Sequence, residues 1–282
     1  MRLLAIAVIA LVPTFAVAQG AAHTPADAAY RGALANSPTP LSLARDQADY
    51  VQDRAETSQT EFRDALDEAR QERLIRTAEV DLMGRTAAAM LESLPAECLD
   101  LEAVDDCGVV QGGWITGPGD ARLFWQIQGG STEMDGLTAG IVLMQDKGGR
   151  LDPVAWAFQA SSYEAPVVFD SDGAWYVAVP GRTLGTGRGD ADLIFRWAPG
   201  TERPLTQIDS WSWRDDLAAK LPGLNAFGRV RIDYAEMIAL TEMFREGDAG
   251  CCGTGGHALI DFTIEGDRMT VSDARLRDGP RR

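Results

Sequence analysis

The rhythm of apolar positions changes near residue 108, and the change divides the chain. From Leu41 to Leu94 apolar residues fall three or four apart, as in Phe62, Leu66, Ala69 and then Leu74, Ala78, Leu82. That period is the mark of an amphipathic helix. Glu61, Arg63, Asp64, Asp67, Glu68, Arg70, Glu72 and Arg73 fill the opposite face with both signs of charge at helical spacing, which supports the same reading. No proline interrupts this stretch, and Gly84 is its only glycine. Before it, Ser37-Pro38-Thr39-Pro40 breaks the chain, because proline cannot continue a helix. A shorter helix through Tyr30, Ala33 and Leu34 precedes the break, with Asp27 as its expected N-cap.

Beyond Gly108 the period falls to two. Leu123/Trp125/Ile127, Val154/Trp156/Phe158, Trp175/Val177/Val179 and Leu193/Phe195/Trp197 alternate with other residues, as half-buried strands do. Asp170-Ser171-Asp172-Gly173 lies between two such runs and predicts a hairpin turn. A second hairpin is expected from His257–Ile264 and Arg268–Leu276 around Glu265-Gly266-Asp267, and a short helical insertion from Trp211 to Leu221. No repeat of fixed period stands out, and a sandwich, an open sheet and a small barrel all remain open. The fold class is α+β: a helical hairpin or long helix followed by an antiparallel β domain with several hairpins.

The first eighteen residues follow neither period. Arg2 precedes an apolar run, and Ala16-Val17-Ala18 supplies the small residues of a cleavage site, the pattern of a secretory signal peptide. The run is shorter than the about 20 apolar residues that span a bilayer. Cleavage is expected between Ala18 and Gln19, giving a periplasmic or secreted protein. The expected organisation is a signal peptide at 1–18, a flexible lead-in at 19–26, a helical region at 27–95 and a disulfide-bearing β domain at 96–282.

Charge narrows the partners. The formal charge is −16, and loss of Arg2 with the signal segment makes the mature chain −17. Such a chain repels nucleic acid and anionic lipid and attracts basic partners. Cys98, Cys107, Cys251 and Cys252 are the only cysteines. In an oxidising compartment they are the disulfide candidates, with three connectivities open. Cys98–Cys107 closes a short loop and is favoured, leaving Cys251 and Cys252 bonded to each other or free; crossed pairings remain the alternative.

Catalytic chemistry has little to draw on. His23 and His257 are the only histidines, neither at metal-ligand spacing with the cysteines, so no metal or other cofactor is expected. No nucleophile elbow, metalloprotease helix, phosphate loop or dinucleotide fingerprint is present. The Asp170–Gly173 stretch resembles only the start of a calcium loop. Paired carboxylates could hydrolyse glycosides, but among 42 acidic residues no pair stands out. Most of the seven tryptophans alternate with aliphatic residues and are expected in the core. Trp211 and Trp213 do not, and are the candidates for a binding surface.

Two stretches resemble known families. Ala28-Ala29-Tyr30-Arg31-Gly32-Ala33-Leu34 followed by Leu43-Ala44-Arg45-Asp46-Gln47-Ala48-Asp49-Tyr50-Val51-Gln52-Asp53-Arg54 resembles the helical region of the LprI-type lysozyme-inhibitor family. Gln47 and Arg54 match its second helix, and Tyr50 takes the aromatic position. The family's helix-stapling cysteines are missing, since no cysteine precedes Cys98. Gly247-Asp248-Ala249-Gly250-Cys251-Cys252-Gly253-Thr254-Gly255-Gly256 looks like a Gly-Asp-x-x-Cys-Cys turn of secreted bacterial domains, with Gly253 in place of a proline. The resemblance implies a non-enzymatic envelope protein, binding a basic protein such as a lysozyme, or a cell-wall glycan, through Tyr50 and Arg54. Two alternatives stand beside it: a glycan hydrolase using carboxylates of the β domain, and a structural or stress-related envelope protein without a small ligand.

Overall fold

The structure is a computed structural model, and it describes residues 25–87, 98–99, 105–132, 136–183, 189–228 and 230–277. The expected signal peptide, its cleavage point and most of the lead-in lie outside the described residues.

Three helices open the chain: α1 (Pro25–Asn36), α2 (Pro40–Glu56) and α3 (Thr60–Ala87). Fourteen strands follow: β1 (Asp105–Thr116), β2 (Arg122–Thr132), β3 (Gly136–Asp146), β4 (Leu151–Ala160), β5 (Ser162–Tyr163), β6 (Val167–Ser171), β7 (Ala174–Val179), β8 (Gly181–Arg182), β9 (Leu193–Trp197), β10 (Leu205–Ile208), β11 (Ile232–Asp233), β12 (Ile238–Glu242), β13 (His257–Glu265) and β14 (Arg268–Arg277). Helix α4 (Trp213–Lys220) lies between β10 and β11. The α+β class is as the sequence predicts, and so are both hairpins and the helical insertion. In the β6–β7 turn Asp172 and Gly173 adopt φ of 50° and 77°, the left-handed pair a tight hairpin turn requires.

The strands form three four-stranded antiparallel sheets in orders β1-β2-β3-β4, β10-β9-β7-β6 and β11-β12-β13-β14, with β5 and β8 as a short accessory pair. Each sheet is a meander, so one architectural unit recurs three times in series although the sequence shows no repeat. The sheets stack face to face. Val177, Val179, Phe195 and Trp197 of the middle sheet pack with Leu123, Trp125, Ile141 and Leu143 of the first. Tyr176, Ala178 and Ile194, the alternate residues, pack with Ile260, Phe262 and Ile264 of the third sheet and with Trp213 and Leu217 of α4. Strands β7 and β9 are therefore buried on both faces rather than half-buried, which a central layer requires.

Three further expectations are corrected. Alternation in β4 breaks at Val154, which a bulge inserts between the pairs Met144↔Pro153 and Leu143↔Ala155. Val154 joins the core between sheets, while Trp156 and Phe158 turn to the outer face with Val142, Met144 and Leu99. Helix α1 begins at Pro25, so Asp27 is its third residue and not its cap. The long helical stretch, expected to run with small interruptions, has one between Glu56 and Thr60 that separates α2 from α3, and its expected end, from residue 88 to 94, lies outside the described residues. Phe62, placed on the apolar stripe, is 58% exposed; the stripe that packs is carried by Leu74 with Leu43 and Ala33.

The helices are joined to the stack by a specific contact. Thr39, the N-cap of α2, makes no side-chain cap. The exposed amides are met instead by Gln207 of β10, whose Oε1 accepts from the N–H of Leu41 at 3.0 Å and of Ser42 at 3.5 Å. Gln207 Nε2 donates to Ser42 Oγ at 2.6 Å. A helix start leaves its first amides unpaired, and here a buried strand residue caps them. Arg45 of α2 adds a guanidinium 5.2 Å from the ring centroid of Trp211, within cation–π range. Helix α3 also contacts β4.

Helix α2 also carries a carboxyl with a shifted titration. Asp46 is half-buried, and its carboxyl is raised to about 6 by burial, against the partial attraction of Arg70 and Arg45. Arg70 is buried, with Nε donating to Gln47 Oε1 at 3.1 Å.

Gln207→Ala is expected to cost about 1–2 kcal/mol by uncapping α2 and to open the 37–60 stretch to proteases before the β stack unfolds; unchanged stability and cleavage would contradict this. The Asp46 carboxyl titrates higher folded than unfolded, so its contribution is present below about 3.8 and lost as pH rises through about 6. Asp46→Asn should therefore gain stability relative to the wild type above about pH 6 and lose that gain below about 4. Thermal unfolding across pH checks this, and a pH-independent difference would refute it.

Candidate functional site

Of the four residues nominated as a binding surface, three are used for packing or internal pairing. Tyr50 is buried, and its hydroxyl donates to Asp67 Oδ1 at 2.7 Å. Arg54 grips the same carboxylate with Nε at 2.6 Å and Nη2 at 3.0 Å. The hydrogen bond from Arg54 leads in holding the Asp67 carboxyl below its usual range, with Tyr50 assisting against the cost of burial. Together they clamp α2 to α3 and are corrected to structural roles. Trp213 is fully buried, its ring edge-on to Phe262 at 5.2 Å. Trp211 keeps partial exposure, but Arg45 covers it. Its sequence context, free of strand alternation, marked Trp213 as exposed. It is instead the first residue of α4, where the two-residue period says nothing about burial.

The interior does bring carboxylates together, in the segment after β8. Asp192 accepts from Gly181 N–H at 2.7 Å on Oδ1 and from the Tyr234 hydroxyl at 2.5 Å on Oδ2. Its backbone carbonyl accepts from Ser210 Oγ at 2.6 Å. Asp190 Oδ1 accepts from Val230 N–H at 2.9 Å, and Oδ2 pairs with Arg214. Arg214 also lies 4.3 Å over the Trp213 ring. Burial, aided by the Asp192 charge, drives the Tyr234 phenol well above its ordinary value, so the hydroxyl stays a donor. Each carboxylate oxygen has a donor, and both groups are buried. Such an arrangement fastens β11 and α4 to the middle sheet; a glycosidase acid or nucleophile must instead meet its substrate.

Other nominated sites resolve as follows. Asp170–Gly173 is a hairpin turn, and no cluster of three or more metal-ligating side chains occurs among the described residues. His257 is exposed at the start of β13, opposite Glu242 and Arg277. Cys98 and Cys107 form the expected disulfide, with Cα atoms 6.2 Å apart. Cys251 and Cys252 are corrected from disulfide partners to free, exposed thiols. Between α4 and the third sheet an open cavity of about 520 Å³ is lined by Asp216, Lys220, Glu265, Arg268 and Thr270. Arg268 is paired with Asp216 there, and neither sign of charge dominates.

The surface feature with the chemistry of recognition lies on the first sheet. Trp114, in the edge strand β1, is 42% exposed. Arg122 stacks its guanidinium 4.2 Å from the ring centroid, and Phe124, directly across in β2, meets the ring at 5.2 Å and 65°. Gly112 and Gly113 precede it; a Cβ on Gly112 would lie 3.0 Å from the Trp125 carbonyl oxygen, and one on Gly113 3.2 Å from Trp125 Nε1. The glycines let the edge strand lie close against Trp125. Val110 and Leu137, exposed at 71% and 69%, add apolar area on the same sheet. Sequence reasoning missed this site because it grouped Trp114 with the core tryptophans. The two adjacent glycines before it in a strand were the available signal.

Compared with known proteins, the chain matches no protein-family model and no curated protein sequence.

Tyr234→Phe should remove one donor from buried Asp192 and lower stability by about 1–3 kcal/mol in denaturant unfolding. An unchanged midpoint would contradict the structural role given to this network.

Proposed function

We propose that this chain is an exported envelope protein that works by binding a basic protein partner, with Trp114 and Arg122 at the centre of the contact. The observation that carries the reading is the exposed Trp114–Arg122 stack on an edge strand. Tryptophan and arginine are the side chains in which binding energy concentrates. One face of the indole is already taken by Arg122, which favours a protein over a sugar ring as the occupant. The formal charge of −16 supplies long-range attraction for a basic surface and raises its association rate.

The resemblance of the helical segment to lysozyme inhibitors makes a lysozyme the first partner to test. The matching residues Gln47 and Arg54, however, are engaged with Arg70 and Asp67, so the contact is assigned to the β stack. Helices α1 to α3 then serve as a cover for the stack. The hydrolase alternative has less support, because the carboxylates gathered in the interior are already saturated by donors.

The test is direct binding of residues 19–282 to several lysozyme classes at low and moderate salt. The helical segment alone is unsuitable, since the cap of α2 comes from β10. Binding that weakens with salt, and that Trp114→Ala weakens at least about tenfold, is expected. Undiminished affinity in Trp114→Ala would refute the assigned surface, and no binding to any class would refute lysozyme as the partner.

A further inference from the structure

Adjacent cysteines in an exposed turn are an uncommon arrangement, and the turn that holds them is firmly built. Asp248 organises it: Oδ2 accepts from Arg245 N–H at 2.7 Å and from Thr254 N–H at 2.8 Å, and Oδ1 accepts from Thr254 Oγ1 at 2.9 Å. Cys252 N–H donates to the Ala249 carbonyl at 2.9 Å, and Gly255 N–H to the Met243 carbonyl at 2.8 Å. Gly250 lies against Phe227, where a Cβ would meet the ring at 2.7 Å, and Gly253 against the Met243 carbonyl, where one would meet oxygen at 2.4 Å. The loop is thus pinned on both sides of Cys251-Cys252, while both thiols face solvent. They are adjacent in the chain, and the neighbouring Cys251 side chain is the main cause that holds the Cys252 thiol above its ordinary value.

We propose that Cys251 and Cys252 form a thiol–disulfide exchange site that takes oxidising equivalents from an external disulfide and stores them as a vicinal disulfide. In the first step one of the two thiolates attacks one sulfur of the external disulfide and expels the other as a thiol, leaving a mixed disulfide. The neighbouring cysteine, deprotonated in its turn, then attacks the protein sulfur of that mixed disulfide and expels the second thiol. Two protein S–H groups are oxidised, one external disulfide is reduced to two thiols, and no other reactant is needed. Both thiols are exposed, and exchange proceeds through the thiolate.

Chain geometry makes the closed form labile. Neighbouring Cα atoms across a trans peptide stand about 3.8 Å apart, closer than the about 4.4–6.8 Å of an ordinary disulfide. Closing the ring therefore demands local backbone change, and strained, exposed disulfides are the easily reduced ones. The Cys98–Cys107 pair, at 6.2 Å, has the ordinary spacing. One chain thus carries a structural disulfide and a reversible one.

The experiment treats reduced residues 19–282, with Cys98–Cys107 intact, with oxidised glutathione, and then counts thiols and maps peptides by mass. The expected result is loss of both free thiols, with the peptide of Cys251–Cys252 lighter by two hydrogens and carrying no glutathione. A mild dithiol should restore both while leaving Cys98–Cys107 closed. Cys252→Ser and Cys251→Ser should each trap one glutathione on the remaining thiol. Stable glutathione on both cysteines, a disulfide-linked dimer, or failure to react under conditions that oxidise a small dithiol would each overturn the proposal.

Discussion

The structure depends on one polar contact made across a large separation in the chain. Gln207 sits in a buried strand and presents its amide to the start of α2, accepting from two backbone amides and donating to Ser42. A buried amide side chain is costly unless satisfied, and helix amides are costly unless capped. Each defect is relieved by the other, so neither side is complete when the helices and the stack separate. The cation–π contact of Arg45 on Trp211 lies in the same seam. Among the described residues the helical segment has a small apolar cluster centred on Ala33, Leu43 and Leu74, and most helical stability in proteins comes from such packing. Its order is therefore tied to the β stack.

The second constraint is the central sheet. Because β7 and β9 feed alternate side chains into two separate cores, both outer sheets use it as a floor. The segment from Asp209 to Tyr234 crosses from the middle sheet to the third, and its polar network holds the crossing in place. Asp209 Oδ1 accepts from the amides of Trp211 and Ser212 at 3.0 Å each. Its own amide and carbonyl bond to the β13–β14 turn region through Asp267 and Met269. Asp190, Asp192, Arg214 and Tyr234 close the remainder. Trp114 and the Cys251–Cys252 turn stay exposed at the surface of this scaffold.

The hairpins were legible because turn chemistry is local: Asp172-Gly173 between alternating runs leaves little choice of conformation. Helix α4 and the Cys98–Cys107 pair were legible for the same reason. Layer order was not, since alternation shows that a strand has two faces but not that both are covered. In β7 the tell-tale was an unbroken apolar run, Ala174 to Val179, and parity alone misread it as half-buried. The bulge at Val154 is a single-residue event that periodicity averages away. Tyr50, Arg54 and Trp213 were misplaced because residue type signals the capacity to bind, whereas burial is decided by partners such as Asp67 and Phe262 that lie elsewhere in the chain. For Trp114 the reverse holds: it was left among the tryptophans expected in the core, but β1 is an edge strand.

The central claim is that helices and stack fold as one body through the Gln207 seam. Native-state hydrogen exchange tests it most directly. The amides of Leu41 and Ser42 should exchange with the same free energy of opening as central-sheet amides such as Val177 and Ile194, because losing the seam requires losing β10. Exchange of α2 amides through a separate opening of much lower free energy, with the central sheet still protected, would contradict it.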